Sequence, residues 1–206
     1  MKIAIVDSGI HPGHPHVGEI AGGTSVTASE LTGDFIDRLG HGTAVAGAIR
    51  EKVPEADLYA VKIFDRRLSA NIDTIVCALA WCIEHEMDLI NLSLGTTNAE
   101  HRARFERVLA PGVLLVSVAK LLPGSLPGAI AAAPDDCSRD TFRYRDGVFY
   151  ASPYPREIPG VPQERNLHGA SFAVANMTGF AAQALRSVSP AQVRDELIRR
   201  ARVQSP

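Results

Sequence analysis

Cysteine is scarce, and its scarcity closes off disulfide-stapled proteins. Cys77, Cys82 and Cys137 form an odd set, with the first two five apart inside a helical pattern, so the expectation is free thiols in a reducing compartment. None has metal-ligand spacing, and none stands beside a histidine in a loop built like a site, which argues against a thiol nucleophile. An excess of one charge is also lacking. The formal net charge of −2 gives no electrostatic reason to expect nucleic acid or an anionic membrane as a partner, and neither is expected. No apolar run approaches the roughly 20 residues that cross a bilayer. The strand that carries Asp7 follows Met1 directly, so no signal peptide or N-terminal prodomain is expected, and the location is read as cytoplasmic. With no repeats and no linkers, residues 1–206 read as one domain.

What is present is an alternation of short apolar runs and amphipathic stretches. Lys2 to Asp7 reads as a buried parallel strand, and Ala44 to Lys52 as an apolar helix entered through His41. Asp57 to Ile63 is a strand, Asn71 to Met87 a helix capped by Asn71, and Asp88 to Leu94 a second buried strand. A charged helix from Asn98 to Leu109 closes at Pro111-Gly112, and Val113 to Val118 is continuous strand. Residues 128–133 and 147–151 are short strands, and 152–169 is a Pro-rich loop. Ser189-Pro190-Ala-Gln192 opens the last helix with a capping box. The Gly/Ser/Thr-rich residues 18–33 read as a surface connection. The order predicts an α/β protein, three-layered, with a doubly wound and mostly parallel sheet.

Three stretches carry chemistry. Gly169-Ala-Ser171 runs into small apolar residues, which places Ser171 at a helix N-terminus, where unpaired N–H groups and the helix dipole favour an anion. Asp7 ends the first strand, and His41 lies in Gly40-His-Gly-Thr43. Ligands bind beyond the carboxyl ends of parallel strands, so an acid, a base and a hydroxyl meet on one edge. Singly, each has a plainer role: Asp7 as a turn former, His41 as a satisfied loop histidine, Ser171 as a cap. The cluster His11-Pro-Gly-His-Pro-His16 reads as loop rather than as a metal site.

In Asp7-Ser-Gly-Ile10, His41-Gly-Thr43 and Gly169-Ala-Ser171-Phe-Ala173, in that order, the chain resembles the subtilisin-like serine proteases (subtilases, peptidase S8), as a compact member. Leu58 to Asp65 and Asp88 to Gly95 resemble the family's second strand and its substrate-binding strand. The resemblance implies that Ser171 is the nucleophile, His41 the general base and acid, and Asp7 the carboxylate that orients it. It also implies an extended peptide or protein substrate paired along Ser93-Leu94-Gly95. The first pocket would be walled by Ser117, Val118 and Ala119, whose small size leaves space for a sizeable side chain. No cofactor and no metal are expected, since the insertion in which the family holds a calcium is missing between Lys52 and Asp57.

The departures from the family are specific. Where it reads Ala-Gly-Asn after the strand ending at Val118, with the Asn donating to the oxyanion, this chain reads Ala119-Lys120-Leu121, and Lys120 is taken as the oxyanion candidate. Ala44 replaces a second histidine after His41, and Ala175-Asn176 replace a proline and a histidine. Three functions compete: a cytoplasmic endopeptidase of narrow specificity that processes precursors, a pseudoprotease that binds peptide or serves as a subunit of an assembly, and a small-molecule ester or amide hydrolase.

Overall fold

The fold is that of a computed structural model, which describes residues 1–110 and 112–204, the last through its backbone alone. Pro111, expected to close a helix, lies outside the described residues. The strands are β1 Lys2–Asp7, β2 Gly22–Val26, β3 Leu31–Thr32, β4 Asp57–Lys62, β5 Leu89–Leu92, β6 Leu114–Val118, β7 Ile130–Pro134, β8 Phe142–Arg145 and β9 Val148–Ala151. The helices are α1 His41–Lys52, α2 Ile72–Glu84, α3 Arg102–Leu109, α4 Ala170–Leu185 and α5 Val193–Gln204. One nine-stranded sheet runs in the order β3-β2-β4-β1-β5-β6-β7-β9-β8. Its interior pairs are parallel, and the pairs β2/β3 and β8/β9 at its edges are antiparallel.

Period-two alternation in β1 sets the layers. Ile3 and Ile5 pack on one face with Val45 and Ile49 of α1, Val174 of α4 and Leu197 of α5. Ala4 and Val6 pack on the other with Ile75 and Leu79 of α2 and Phe105 of α3. A strand buried on both faces needs mostly apolar residues, which is why β1 reads as a continuous run from Ile3 to Val6 and β5 as Leu-Ile-Asn-Leu. The predicted helix starts hold: the Asn71 side chain accepts from Thr74 N at 2.8 Å, and the Ser189/Gln192 capping box forms.

β2, β3 and β8 depart from expectation. Gly22–Val26, read as part of a surface connection, pairs in parallel with β4, and the Thr24 hydroxyl ties it to the Thr32 carbonyl at 3.0 Å. Its composition is too polar to announce a strand, which is made by the edge that β4 offers. β8 was also unmarked. It alternates Phe-Arg-Tyr-Arg and joins β9 through Asp146-Gly147, both at positive φ (50° and 83°), the backbone of a two-residue hairpin turn.

Candidate active site

Asp7 ends β1, His41 opens α1 and Ser171 lies in the first turn of α4. Asp7 is fully buried at the end of β1. Its Oδ1 accepts from the Ser8 N–H and from Nδ1 of His41, both at 2.7 Å. A carboxylate only accepts, so Nδ1 carries the ring proton and Nε2 is left as the free base. His41 opens α1, and its ring lies 5.5 Å from that of Phe172, centroid to centroid. Phe172 follows Ser171 in the first turn of α4, so the His41 ring lies against the helix turn that bears Ser171.

Gly42 makes the approach of α1 to β1 feasible. A Cβ there would stand 2.2 Å from the Gly9 carbonyl oxygen and 3.3 Å from the Asp7 Cβ. Any side chain at residue 42 would therefore push His41 off Asp7.

Sequence reasoning missed Asp37, which holds the His41 loop. Its Oδ1 accepts from the Ser8 hydroxyl and the N–H groups of Leu39 and Gly40, each at 2.9 Å. Its Oδ2 accepts from the Thr43 N–H at 2.9 Å and the Thr43 hydroxyl at 2.6 Å. The Ser8 hydroxyl in turn accepts from the Gly42 N–H at 2.9 Å, so one carboxylate ties the end of β1 to the start of α1. The available signal was an Asp four residues before His41, in a loop whose N–H groups need acceptors.

Burial is the largest influence on the Asp37 carboxyl and raises its pKa. The bonds from Thr43, Leu39 and Ser8 together outweigh it, and the pKa lies below 3.8. For His41 burial is again largest and lowers the pKa, but the hydrogen bond and charge of Asp7, with the charge of Asp37, raise it above 6.5.

Ser171 is the second residue of α4, after an N-cap at Gly169 that provides no side-chain bond, so it is not a cap. Its hydroxyl donates to the Ser93 carbonyl at 3.4 Å, and the Ser93 hydroxyl donates to the Ser171 carbonyl at 3.2 Å. Behind Ser93 runs a buried polar chain: Asn91 Nδ2 reaches the Ser93 hydroxyl at 3.0 Å, and the Thr178 hydroxyl reaches Asn91 Oδ1 at 2.9 Å. Asn176 is fully buried and donates to the carbonyls of Ser152 and Tyr154, each at 3.0 Å, fastening the 152–169 loop to α4. No hydrogen bond from the Ser171 N–H occurs among the described residues, which leaves it for an anion.

Two expectations require correction. Lys120 does not stand in the oxyanion position. Its φ of 65° is a left-handed value that glycine adopts freely, so Ala119-Lys120-Leu121 matches Ala-Gly-Asn one for one, and Leu121 takes the place of the Asn. The Lys120 side chain is exposed and lines a cleft with Asp146 and Arg194. The space expected beside Ser117, Val118 and Ala119 is taken up by the chain itself: the fully buried Ser117 hydroxyl donates to the Leu94 carbonyl at 3.2 Å, and Leu121 packs onto Gly95.

Comparison with known proteins agrees with this geometry. The profile of the subtilase family matches residues 1–138, which include Asp7 and His41. The chain belongs to the subtilase family. It is similar to subtilisin E of Bacillus subtilis, 29% identical over 96% of this chain and 59% of that protein. It is also similar to the minor extracellular protease Epr of the same organism, 40% identical over 57% of this chain and 19% of Epr. The chain thus spans about six-tenths of the length of subtilisin E. Sphericase has the same fold, with a TM-score of 0.71 at 23% identity over 97% of this chain and 82% of its own. A cold adapted subtilisin-like serine proteinase shares it at a TM-score of 0.74 and 19% identity, over 97% of this chain and 81% of that one.

The His11 N–H donates to the Thr43 hydroxyl at 3.0 Å, so one end of the histidine-rich loop packs on the His41 turn. His11 to His16 form a loop in which the His16 N–H donates to His14 Nδ1 at 3.2 Å. All three thiols are free, and burial raises the pKa of Cys82, and of Cys137 with help from the Asp135 charge, so neither is a thiolate near neutrality.

Replacing Asp37 by Asn should destabilise the fold by about 2–3 kcal/mol, from charge-assisted hydrogen bonds lost in a buried network. A depressed carboxyl pKa stabilises the fold above its unfolded value and loses that contribution as the pH falls through the folded one. The gap in urea midpoint between wild type and Asp37→Asn should therefore be full near neutrality and close below pH 3.8.

Proposed function

We propose that the chain is a serine endopeptidase acting on extended peptide through Asp7, His41 and Ser171. The observation that carries this reading is the 2.7 Å Asp7–His41 bond, presented beside the free N-terminus of the helix that bears Ser171. A peptide strand laid along Ser93–Gly95 offers an N–H to the Ser93 carbonyl, which in the free protein holds the Ser171 hydroxyl. Taking that acceptor releases the hydroxyl to turn to His41, so substrate binding and activation of the nucleophile are coupled.

Ser171 Oγ then bonds to the substrate carbonyl carbon as its proton passes to His41 Nε2, and the Asp7 carboxylate stabilises the imidazolium. The imidazolium returns the proton to the leaving amine as the C–N bond breaks. Water, deprotonated by His41, hydrolyses the acyl-Ser171 ester. The Ser171 N–H and the helix dipole receive the oxyanion. Leu121 adds no donor, and loss of one such donor typically costs about 10²–10³ in turnover. Slow turnover on few targets, such as particular precursors, belongs to this reading. Its cytoplasmic location rests on the free thiols.

Leu121 also favours a second reading, a pseudoprotease that holds peptide without cutting it. A fluorophosphonate should label Ser171 in the wild type and fail on Ser171→Ala, as read by peptide mass. No label on folded wild type, with binding and cellular effect unchanged in Ser171→Ala, would move the assignment to the pseudoprotease. Lys120→Ala should leave turnover within about twofold; a tenfold loss would return Lys120 to the site.

The pH profile tests the base. The acid limb of kcat/KM should lie above 6.5, because His41 must be neutral to act and its pKa is raised. Asp7→Asn should lower that limb and reduce kcat by about 10⁴, through the wrong tautomer. The stability linkage runs the other way: protonated His41 stabilises the fold fully below its unfolded pKa, and that contribution disappears as the pH rises through the folded one. An imidazole C–H titration by NMR checks both.

A further inference from the structure

The gap between the ends of β5 and β6 is closed. The Thr96 N–H donates to the Leu122 carbonyl and the Leu122 N–H to the Thr96 carbonyl, both at 2.9 Å, so residues beyond the two strands pair as an antiparallel bridge. At Gly95, inside that bridge, a Cβ would stand 2.6 Å from the Leu121 Cβ, 2.7 Å from the Leu122 carbonyl oxygen and 3.4 Å from Leu121 Cδ1. Deeper in, a Cβ at Gly124 would stand 2.2 Å from the Val118 carbonyl oxygen, so the returning chain lies against the end of β6. The Ser117 hydroxyl bonds across to Leu94 at 3.2 Å. At Gly95 itself there is no room for even one methyl group.

The sheet order makes the gap matter. β5 lies between β1 and β6. Asp7 and His41 occupy the β1 side of the Ser93 carbonyl, where Ser171 sits. For a peptide paired along Ser93–Gly95, the residue that donates the attacked carbonyl has its Cα beside Ser93. Its side chain points away from the base, toward the β6 side, into the volume that Leu121 and the bridge fill.

We infer that Leu121 and the Thr96–Leu122 bridge restrict the residue on the acyl side of the cleaved bond to glycine, with alanine a poor second. This rests on the endopeptidase reading and gives it a substrate class: extended segments with a glycine at the cut. The side chain of Leu121 is the steric element. Gly95 keeps the bridge tight, since any larger residue there would drive the two segments apart.

The test uses acetyl-Ala-Ala-X aminocoumarin amides with X as Gly, Ala, Leu or Phe, alongside a methyl fluorophosphonate whose small group does not need the gap. In the wild type, kcat/KM for Gly should exceed that for Phe by a hundredfold or more. Leu121→Ala and Leu121→Gly should each narrow the ratio at least tenfold by raising the larger substrates. Should either variant fail to fold, the wild-type ratio still decides. Cleavage after Phe or Leu within tenfold of Gly in the wild type would overturn the restriction, and so would an unchanged ratio in a folded Leu121→Ala. If Ser171 takes no label and no peptide is cut, the endopeptidase reading fails and the restriction fails with it. If Ser171 labels and large residues are accepted, only the restriction fails.

Discussion

A carboxylate with no solvent exposure at the end of β1 is the constraint around which this edge of the sheet is built. An unpaired buried charge costs several kcal/mol, so Asp7 must be met by donors, and among the described residues two reach it: the Ser8 N–H and the His41 ring, both on Oδ1. Oδ2 is buried without a donor among the described residues, so the charge is incompletely quenched by hydrogen bonds and remains available to an imidazolium. Satisfying Asp7 demands that α1 start within contact of β1. Gly42 makes that approach sterically feasible, and Asp37 fixes it through five hydrogen bonds. The second carboxylate is structural, yet its charge also acts on His41, so the same residue positions the base and raises its pKa.

Much of this was legible in the residues. β1, β5 and β6 announce themselves because strands covered on both faces need mostly apolar residues, and helix starts at Asn71 and Ser189 carry their caps in the sequence. Asp7, His41 and Ser171 stand out in the sequence because three short motifs each belong to a different junction of strand, loop and helix. What did not show were features owned by tertiary contact. β2 has a polar, glycine-rich sequence and exists because β4 offers an edge. Asp37 looked like one loop acid among several, since its partners are mostly backbone N–H groups, which every sequence supplies equally. β8 is a different case: Asp146-Gly147 between alternating residues is a hairpin signal in the letters themselves.

Lys120 and Leu121 show how backbone conformation settles an alignment that letters leave ambiguous. Charge draws attention to Lys120, but φ identifies it as occupying a glycine's place, and its ammonium belongs to solvent. The functional difference lies in its apolar neighbour. One substitution, Leu for the expected Asn, has two consequences of different kind. On the proposed endopeptidase reading it leaves the developing oxyanion one donor short, and it introduces a branched side chain that packs against Gly95.

Those two consequences fall on the same bond-breaking step but on different substrates. Loss of a donor slows every substrate alike, because the oxyanion forms whatever the neighbouring side chain is. Filling the gap slows only substrates whose side chain needs it, so it appears as discrimination in kcat/KM. A glycine residue on the acyl side avoids the second cost and still meets the first. On the proposed endopeptidase reading, slow turnover and a narrow choice of peptide follow together from one position.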